Sequence, residues 1–282
     1  MKDNPLDAMR QEIYEFLDNS LPSEGRVAEA MRYSMLGARG GLLRPLVTAA
    51  VGRDYHLPNK AIVPIAAAQE CAHVASLVLD DIHDKSAKRR GIRSCHYAFD
   101  KKTAELAVVD LLAQGRDFIR DSSINMAAKY AIIEQSDAMT HAIVRGQETD
   151  LYPINISTVD DILRFYGRKS GALFALATVA GGLAAETSGE DLAILRDIGL
   201  DLGIAYQIGD DIKDKTDDIT AGKTTLLSII GEEYAQQMWH VKEQSIRTNI
   251  SALGERANIG FFGDVANRIL WLHAQHIGQS GS

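Results

Sequence analysis

Two five-residue acidic motifs, one in each half of the chain, have the residue types best suited to chemistry. The first reads DDIHD at residues 80–84, and the second reads DDIKD at residues 210–214. Residues four positions apart share one face of a helix, so each motif projects its first and last carboxylates in the same direction. Like charges repel there, and the C-terminal end of a helix disfavours anions further. Bound cations would relieve both costs, and one-sided oxygen ligands favour Mg²⁺, which completes its shell with water and phosphate oxygens.

Basic residues close to each motif indicate an anionic ligand. Lysine and arginine follow the first motif at residues 88–90, and lysines surround the second within residues 213–223. A guanidinium offers forked donors that match a phosphate, and an ammonium offers a point charge. A single acidic motif would be read as a solvated surface. Because both motifs follow apolar runs, at residues 72–79 and 203–208, their recurrence favours a site that holds a diphosphate between metals and bases.

The elements that position these motifs must be helices. Only six prolines occur in the 282 residues, and no apolar run shows the alternation of a strand. We therefore predict an all-α, single-domain helical bundle over residues 1–277, with residues 278–282 as a disordered or cloning-derived tail. Caps and periodicity place helices at residues 59–84, 101–121, 125–151, 224–252 and 264–276, in addition to one that ends at the second motif.

Polar and proline residues mark further helix starts. Pro22 opens one helix and Pro45 lies in the first turn of another. Two pairs, Ser157 with Asp160 and Ser188 with Asp191, have the spacing of a capping box.

The composition excludes several classes of protein. A formal net charge of -8 argues against a nucleic-acid binder, which needs clustered basic side chains. The two cysteines, Cys71 and Cys95, form no disulfide framework, so we expect a protein of the reducing cytoplasm. Residues 1–10 lack an apolar signal core, and no run reaches the roughly 18 uninterrupted apolar residues that span a bilayer. We therefore expect a soluble protein that does not span a membrane.

Several sequence elements occur in a characteristic order. The first reads ECAHVASLVLDDIHD at residues 70–84 and is followed by KRRG at residues 88–91. GQETD at residues 146–150 and KSGALF at residues 169–174 come next, and YQIGDDIKD ends the series at residues 206–214. The combination covers most of the chain and resembles the trans-isoprenyl diphosphate synthases, the family of farnesyl and geranylgeranyl diphosphate synthases.

The resemblance implies a role for individual residues. In this family three Mg²⁺ ions hold an allylic diphosphate, and the positions that match their ligands are Asp80, Asp84 and Asp210. The other motif aspartates match further ligands or residues that support them, namely Asp81, Asp211 and Asp214. The same diphosphate would be bound by Arg89, Lys169 and Lys223. Isopentenyl diphosphate, the second substrate, would be bound by Arg44, His73 and Arg90. The resemblance also implies a homodimer.

The reaction that the resemblance implies explains these residue types. Breaking an allylic C–O bond leaves a diphosphate anion and a carbocation, so the site must stabilise the anion and exclude water. The Ser170 carbonyl and the Gln207 amide would face the carbocation. Simpler roles remain open for three residues, because His73 would also suit a hydrogen-bonded core histidine, and Gln147 and Asp150 would also suit bridges between helices.

The chain departs from the resemblance at residues 39–45. The family reads GGKRxRP where this chain reads RGGLLRP, so the expected lysine and first arginine fall on Gly41 and Leu42. Two charge-assisted contacts to isopentenyl diphosphate are therefore absent, unless Arg39 replaces them. Besides an elongating synthase, two functions stay open: an enzyme that ionises a prenyl diphosphate and cyclises it or transfers it to another acceptor, and an inactive scaffold subunit. Retention of both aspartate motifs favours an active synthase.

Small residues before the first motif predict the product. Ser76 and Ala75 lie one turn, roughly 5.4 Å, before Asp80 on a helix, and Ala72 and Cys71 lie one turn further. In the family, bulky aromatic residues just upstream of this motif stop growth at farnesyl, and none occurs at these positions. We therefore predict geranylgeranyl diphosphate as the main product.

Overall fold

The computed structural model describes residues 4–37, 39–152, 156–216 and 224–277. The elements of the first half are α1 (Pro5–Ser20), α2 (Arg26–Arg32), the π-helix π1 (Tyr33–Gly37), α3 (Leu43–Asp54), α4 (Asn59–His83), β1 (Lys88–Arg89), β2 (Ile92–Arg93), α5 (Cys95–Ala98), α6 (Lys101–Asp121) and α7 (Met126–Leu151). The elements of the second half are α8 (Val159–Tyr166), the π-helix π2 (Gly167–Gly171), α9 (Ala172–Ala184), α10 (Gly189–Lys213), α11 (Leu226–Ile230), α12 (Glu232–Gly254) and α13 (Gly260–Ala274). The predicted all-α fold is confirmed.

The core lies where α4 packs against α3, α6 and α9, and where α10 packs against α9 and α12. Small residues let these helices approach closely. A Cβ atom placed on Gly199 of α10 would lie only 2.5 Å from the Cα atom of Ala175 on α9. Each large apolar side chain that this packing removes from water contributes about 1.5–3 kcal/mol. The helices that end in the two aspartate motifs are therefore held in the hydrophobic core.

Helix α4 combines the composition of a membrane span with burial inside the fold. It is long and apolar enough to cross a membrane, but 67% of its most apolar stretch is buried inside the fold. A core helix has the composition of a membrane span because its neighbours are also apolar. The burial of α4 among other helices is that of a core helix.

The predicted boundaries are confirmed where they position the motifs. Helix α4 ends at His83 with Asp84 as its C-cap, and α10 begins after the predicted cap Ser188. The predicted cap pair Ser157 and Asp160 is wrong by one residue. The N-cap of α8 is Thr158, which shares a capping box with Asp161. Adjacent serine and threonine are both good caps, so only packing of α8 decides between them.

Two segments of the chain differ from the sequence prediction because of left-handed backbone. The predicted helix at residues 224–252 is two helices, since Gly231 has φ +80° and interrupts it. Residues 85–95, which lie between two predicted helices, contain the β1–β2 hairpin. Its two turn residues, Arg90 and Gly91, have φ values of +51° and +82°, as a tight type I′ hairpin turn requires. This turn orients the basic residues that follow the first motif.

Candidate active site

A cavity of about 410 Å³ lies between the C-terminal halves of α4 and α10. It brings together most of the residues predicted to act on a substrate, namely Arg44, His73, Asp80, Arg89, Arg90, Lys169, Ser170, Gln207 and Asp210. The predicted Lys223 lies outside the described residues. The ends of the two motif helices thus share one space, although they come from different halves of the chain.

The first motif divides its aspartates between the cavity and the interior. Asp80 lines the cavity and accepts a hydrogen bond from Gln147 Nε2 at 3.2 Å. Asp81 is only 2% exposed and accepts hydrogen bonds from Arg89, at 3.0 Å from Nε and 2.6 Å from Nη2. Asp84 is exposed at the end of α4. Asp81 therefore holds Arg89 beside Asp80, whose carboxylate lies 3.7 Å from the same guanidinium.

The second motif shows the same division. Asp210 lines the cavity, and burial together with the neighbouring Asp214 carboxylate raises the pKa of Asp210 to about 7. Asp211 is 4% exposed, and its carboxylate accepts hydrogen bonds from the Tyr166 hydroxyl and, at 3.0 Å, from Gln207 Nε2. Asp214 is exposed at the end of α10. The inner carboxylate of this motif therefore orients Gln207.

The outer carboxylates fit a divalent cation. The surroundings of Asp210 penalise its charged form, and a cation beside it would reverse that penalty. Within the described residues, no three His, Cys, Asp or Glu side chains are grouped closely enough to chelate an ion by themselves. An ion between Asp80 and Asp210 would therefore take oxygens from a ligand as well. Mg²⁺ commonly binds in this way, through one or two carboxylates and substrate phosphates.

The π-helix π2 places Lys169 and Ser170 on the cavity. Such widened turns are frequent at functional sites. Lys169 forms an ion pair with Asp150 of α7, and Ser170 Oγ donates to Gln207 Oε1 at 2.8 Å. Gly146 permits this contact between α7 and π2, because a Cβ atom there would lie 3.0 Å from the Lys169 backbone nitrogen. The polar residues of α7 thus bridge helices, as considered above, and do so at the cavity.

Arg44 and His73 form another wall of the cavity. Arg44 Nη1 lies 3.3 Å from His73 Nε2, and the Arg44 guanidinium lies over the Phe174 ring, 4.4 Å from its centroid. Burial and the Arg44 charge lower the pKa of His73 well below its usual range. A guanidinium only donates, so the proton of the neutral ring is assigned to Nδ1. That Nδ1 is buried without a hydrogen-bond partner in the described chain.

A second cavity, of about 320 Å³, adjoins the first and shares with it Arg44, His73, Arg90 and Tyr206. The Arg90 guanidinium lies against Gly40, where a Cβ atom would be only 2.3 Å from Nη1. Any side chain at that glycine would therefore displace the arginine. The two cavities therefore meet at a junction lined by basic residues.

The sequence model of the polyprenyl synthetase family matches residues 25–246, a segment that contains both motifs, the hairpin and π2. The chain belongs to the polyprenyl synthetase family. Membership makes it a prenyltransferase, and the matched segment contains the residues that line the first cavity.

Individual relatives of this synthetase are consistent with its assignment to the family. The geranylgeranyl diphosphate synthase of Pantoea ananas is 31% identical over 253 residues, which cover 84% of this chain and 83% of that protein. The farnesyl diphosphate synthase of Bacillus subtilis is 30% identical over 236 residues, which cover 76% of this chain and 79% of that protein. A geranyltransferase from Helicobacter pylori, complexed with magnesium and isoprenyl diphosphate, has the same fold, with a TM-score of 0.83, 22% identity and coverage of 98% of this chain and 99% of that chain. The names of these relatives differ in product, so similarity alone does not assign a product length.

Some residues of the synthetase site have no sequence signal. Tyr166 donates to Asp211 and accepts a hydrogen bond from the Leu226 backbone N–H at 2.8 Å, so it ties α11 to the second motif. A lone tyrosine at the end of an amphipathic helix is normally a core residue, and nothing in its neighbours along the chain distinguishes it. The apolar wall of the cavity is likewise visible only in the structure, and it consists of Leu77, Ile143 and Leu173.

Replacing Tyr166 by phenylalanine should lower the free energy of unfolding by about 1–3 kcal/mol, because a buried carboxylate and a backbone N–H each lose a partner. We also expect kcat to fall severalfold, since Asp211 positions Gln207. Tyr55→Phe is the matched control, because Tyr55 donates to Asp191 at 3.0 Å in a different part of the fold. Urea unfolding and steady-state kinetics of both variants test this. Equal kcat in the two variants would contradict a role for Tyr166 at the site.

Proposed function

We propose that this synthetase condenses isopentenyl diphosphate with an allylic prenyl diphosphate and makes geranylgeranyl diphosphate as its main product. The observation that supports this most is the convergence of Asp80 and Asp210 on one cavity that also contains arginine and lysine side chains. Carboxylates that recruit a cation, together with forked guanidinium donors, form a binding site for a diphosphate.

Mg²⁺ is the cofactor that we propose, with three ions as the family resemblance implies. The magnesium complex of the Helicobacter pylori relative supports this choice of ion. The proposed ligands are the carboxylates that face the cavity or solvent, namely Asp80, Asp84, Asp210 and Asp214. Of the two roles predicted for Asp81 and Asp211, ligand or support, we propose the support, since their carboxylates accept hydrogen bonds from Arg89 and Gln207. Bound Mg²⁺ would neutralise negative charge that develops on the leaving diphosphate.

The reaction begins when the allylic C–O bond breaks and leaves a diphosphate and a carbocation. Arg89 and Lys169 bind the leaving diphosphate, and Lys223 is proposed for the same role. The Ser170 carbonyl and the Gln207 amide face the carbocation. The double bond of isopentenyl diphosphate then forms the new C–C bond, and a proton is lost to the released diphosphate. The apolar wall of the cavity excludes water, which would otherwise capture the cation.

Isopentenyl diphosphate binds, in this proposal, where the two cavities adjoin. Arg44, His73 and Arg90 lie at this junction. Arg44 Nε and His73 Nδ1 are both buried without a partner among the described residues. Buried donors of this kind are costly unless a ligand satisfies them, and phosphate oxygens are suitable acceptors.

The missing basic residues at Gly41 and Leu42 favour a second candidate, an enzyme that ionises a prenyl diphosphate and cyclises it or transfers it elsewhere. One assay separates the candidates. Purified protein, Mg²⁺ and labelled isopentenyl diphosphate are combined with dimethylallyl, geranyl or farnesyl diphosphate, and products are identified by mass. Labelled prenyl diphosphate supports our proposal. Unlabelled cyclic hydrocarbon supports the second candidate, and turnover only with a partner protein would indicate a scaffold subunit.

The wall formed by α4 supports the proposed product length. Ser76 lines the cavity, and Ala72, one turn below it, is partly exposed. Ala75 and Cys71 were expected to line the same channel, but they are only 1% and 0% exposed and lie in the packed interior. The space for a growing chain is therefore proposed to follow the Ser76 and Ala72 side of α4. Helix α4 itself contains no phenylalanine, tyrosine or tryptophan.

We also propose a homodimer that forms through α6 and α7. Leu106, Val109 and Leu112 are 57%, 66% and 39% exposed and lie along one stripe of α6, and Tyr130 of α7 is 68% exposed. An apolar stripe of this kind is costly to leave in water and is typical of a surface covered by a partner.

Val109→Glu should convert the homodimer to a monomer, because a charge would be buried in the interface. Light scattering coupled to gel filtration measures the mass. Tyr234→Glu, at a 62% exposed apolar residue of α12, is the control and should leave the mass unchanged. A wild-type monomer would contradict the proposal directly.

We propose that residues 1–277 form one synthase domain of the cytoplasm. Cys71 and Cys95 are both free and buried, as is usual for thiols in a reducing compartment. Residues 278–282, the expected tail, lie outside the described residues.

A further inference from the structure

The second cavity combines arginines from distant parts of the chain. Its lining contains Arg10 from α1 and Arg268 from α13, in addition to Arg44 and Arg90. The buried Glu70 is the one carboxylate among these lining residues, and Asp7, beside the cavity, pairs with Arg10, so four guanidinium groups meet two carboxylates. The cavity therefore has an excess of positive charge, and such an excess favours an anionic ligand.

Arg10 occupies the space beside the position where the family has its lysine. Its Nε donates to the carbonyl oxygen of Gly41 at 3.4 Å, and its Nη1 pairs with Asp7 at 2.5 Å. The Arg10 side chain is only 23% exposed, so it is held along the cavity wall. The Arg10 guanidinium from α1 thus brings a positive charge next to Gly41, which has no side chain to supply one.

Arg268 contributes a charge that the protein does not neutralise. It is exposed on α13, and its side chain has no ion pair or hydrogen bond to the part of the chain that the structure describes. Leu272, one turn further along the same helix face, lines the same cavity. The α13 face therefore directs an available guanidinium towards the cavity.

The residues nearest in sequence to the missing pair do not supply this charge. The Arg39 guanidinium lies over the Tyr14 ring, 4.7 Å from its centroid, and it lines neither cavity. Leu42 is 2% exposed with φ +50°, so its side chain belongs to the core. Leu42 also lines the second cavity, but its side chain is apolar and contributes no charge there.

We propose that Arg10 and Arg268 bind the diphosphate of isopentenyl diphosphate and replace the basic pair that is absent at Gly41 and Leu42. This inference rests on the proposed condensation reaction. The forked donors of two guanidinium groups match phosphate oxygens. Isopentenyl diphosphate is thus bound by guanidinium groups from the first and last helices of the described structure, α1 and α13.

Arg10→Gln and Arg268→Gln test this assignment, with Arg39→Gln as the matched control. The KM for isopentenyl diphosphate should rise about tenfold in each of the first two variants, since each loses charge-assisted hydrogen bonds. The KM for the allylic substrate should not change. The control should retain both constants. Equal increases in both constants, or an increase in Arg39→Gln alone, would overturn the assignment.

A rescue experiment guards against a general loss of folding. Gly41→Lys in the Arg10→Gln background should restore the KM for isopentenyl diphosphate, because a Cβ atom at residue 41 meets only the Leu43 side chain at 3.4 Å. Calorimetry with isopentenyl diphosphate in EDTA measures binding without turnover. If the wild-type protein makes no labelled product but both arginine variants lose this binding, the condensation reaction is refuted and the arginine site is supported. If both variants retain the wild-type binding and the wild-type KM for isopentenyl diphosphate, the arginine site is refuted and the condensation reaction is unaffected.

Discussion

Replacing Asp210 or Asp80 by asparagine should lower kcat on the order of a thousandfold, because each variant loses a carboxylate proposed to hold the cation that stabilises the leaving diphosphate. The helical fold should persist. In the case of Asp210, repulsion from Asp214 disappears, so the thermal midpoint should hold or rise. Steady-state turnover at saturating substrate and Mg²⁺, and circular dichroism melting, measure the two quantities. EDTA should abolish wild-type activity, and excess Mg²⁺ should restore it.

Asp197→Asn is the matched control for this experiment. Asp197 is an exposed aspartate on the same helix α10, so its loss tests the effect of removing one negative charge from α10. We expect kcat in this variant within about twofold of wild type, as for most exposed surface substitutions. Near-normal turnover in Asp80→Asn or Asp210→Asn would show that these carboxylates are not ligands.

The second large effect concerns the product. Ser76→Phe should shorten the main product from geranylgeranyl to farnesyl diphosphate, because the phenyl ring would fill the cavity about one turn, roughly 5.4 Å, below Asp80. Chromatography and mass spectrometry of the product from each allylic substrate measure the distribution. Turnover of the shorter substrates should continue, since the motif aspartates do not move.

Two further variants define the position of the channel. Ser76→Ala keeps a small side chain and should leave the product unchanged. Ala75→Phe places the same ring at a residue that is 1% exposed, so it should overpack the interior and cost about 1–3 kcal/mol of stability. A product shift in Ala75→Phe without loss of stability, or no shift in Ser76→Phe, would refute this description of the channel.

Much of the fold was predictable because helix signals are local. The bounds of α4 and α6 follow from caps and apolar periodicity within a few turns of chain, and the structure reproduces them. The same periodicity put the first and last aspartate of each motif on one face. Left-handed residues such as Gly231 and the Arg90-Gly91 turn were missed, since a basic loop or an amphipathic run does not reveal a positive φ.

The sequence by itself determined the helical class, the two aspartate motifs and the departure at Gly41 and Leu42, because these depend on residue type and short-range spacing. Only the tertiary structure decided which aspartates line the cavity. Asp80 and Asp81 are neighbours in sequence, but a helix turns them to different sides, so Asp80 lines the cavity whereas Asp81 is buried and hydrogen-bonded to Arg89. It also decided that guanidinium groups from α1 and α13 line the same cavity as Gly41. Such contacts arise from packing between distant segments, and no local pattern encodes them.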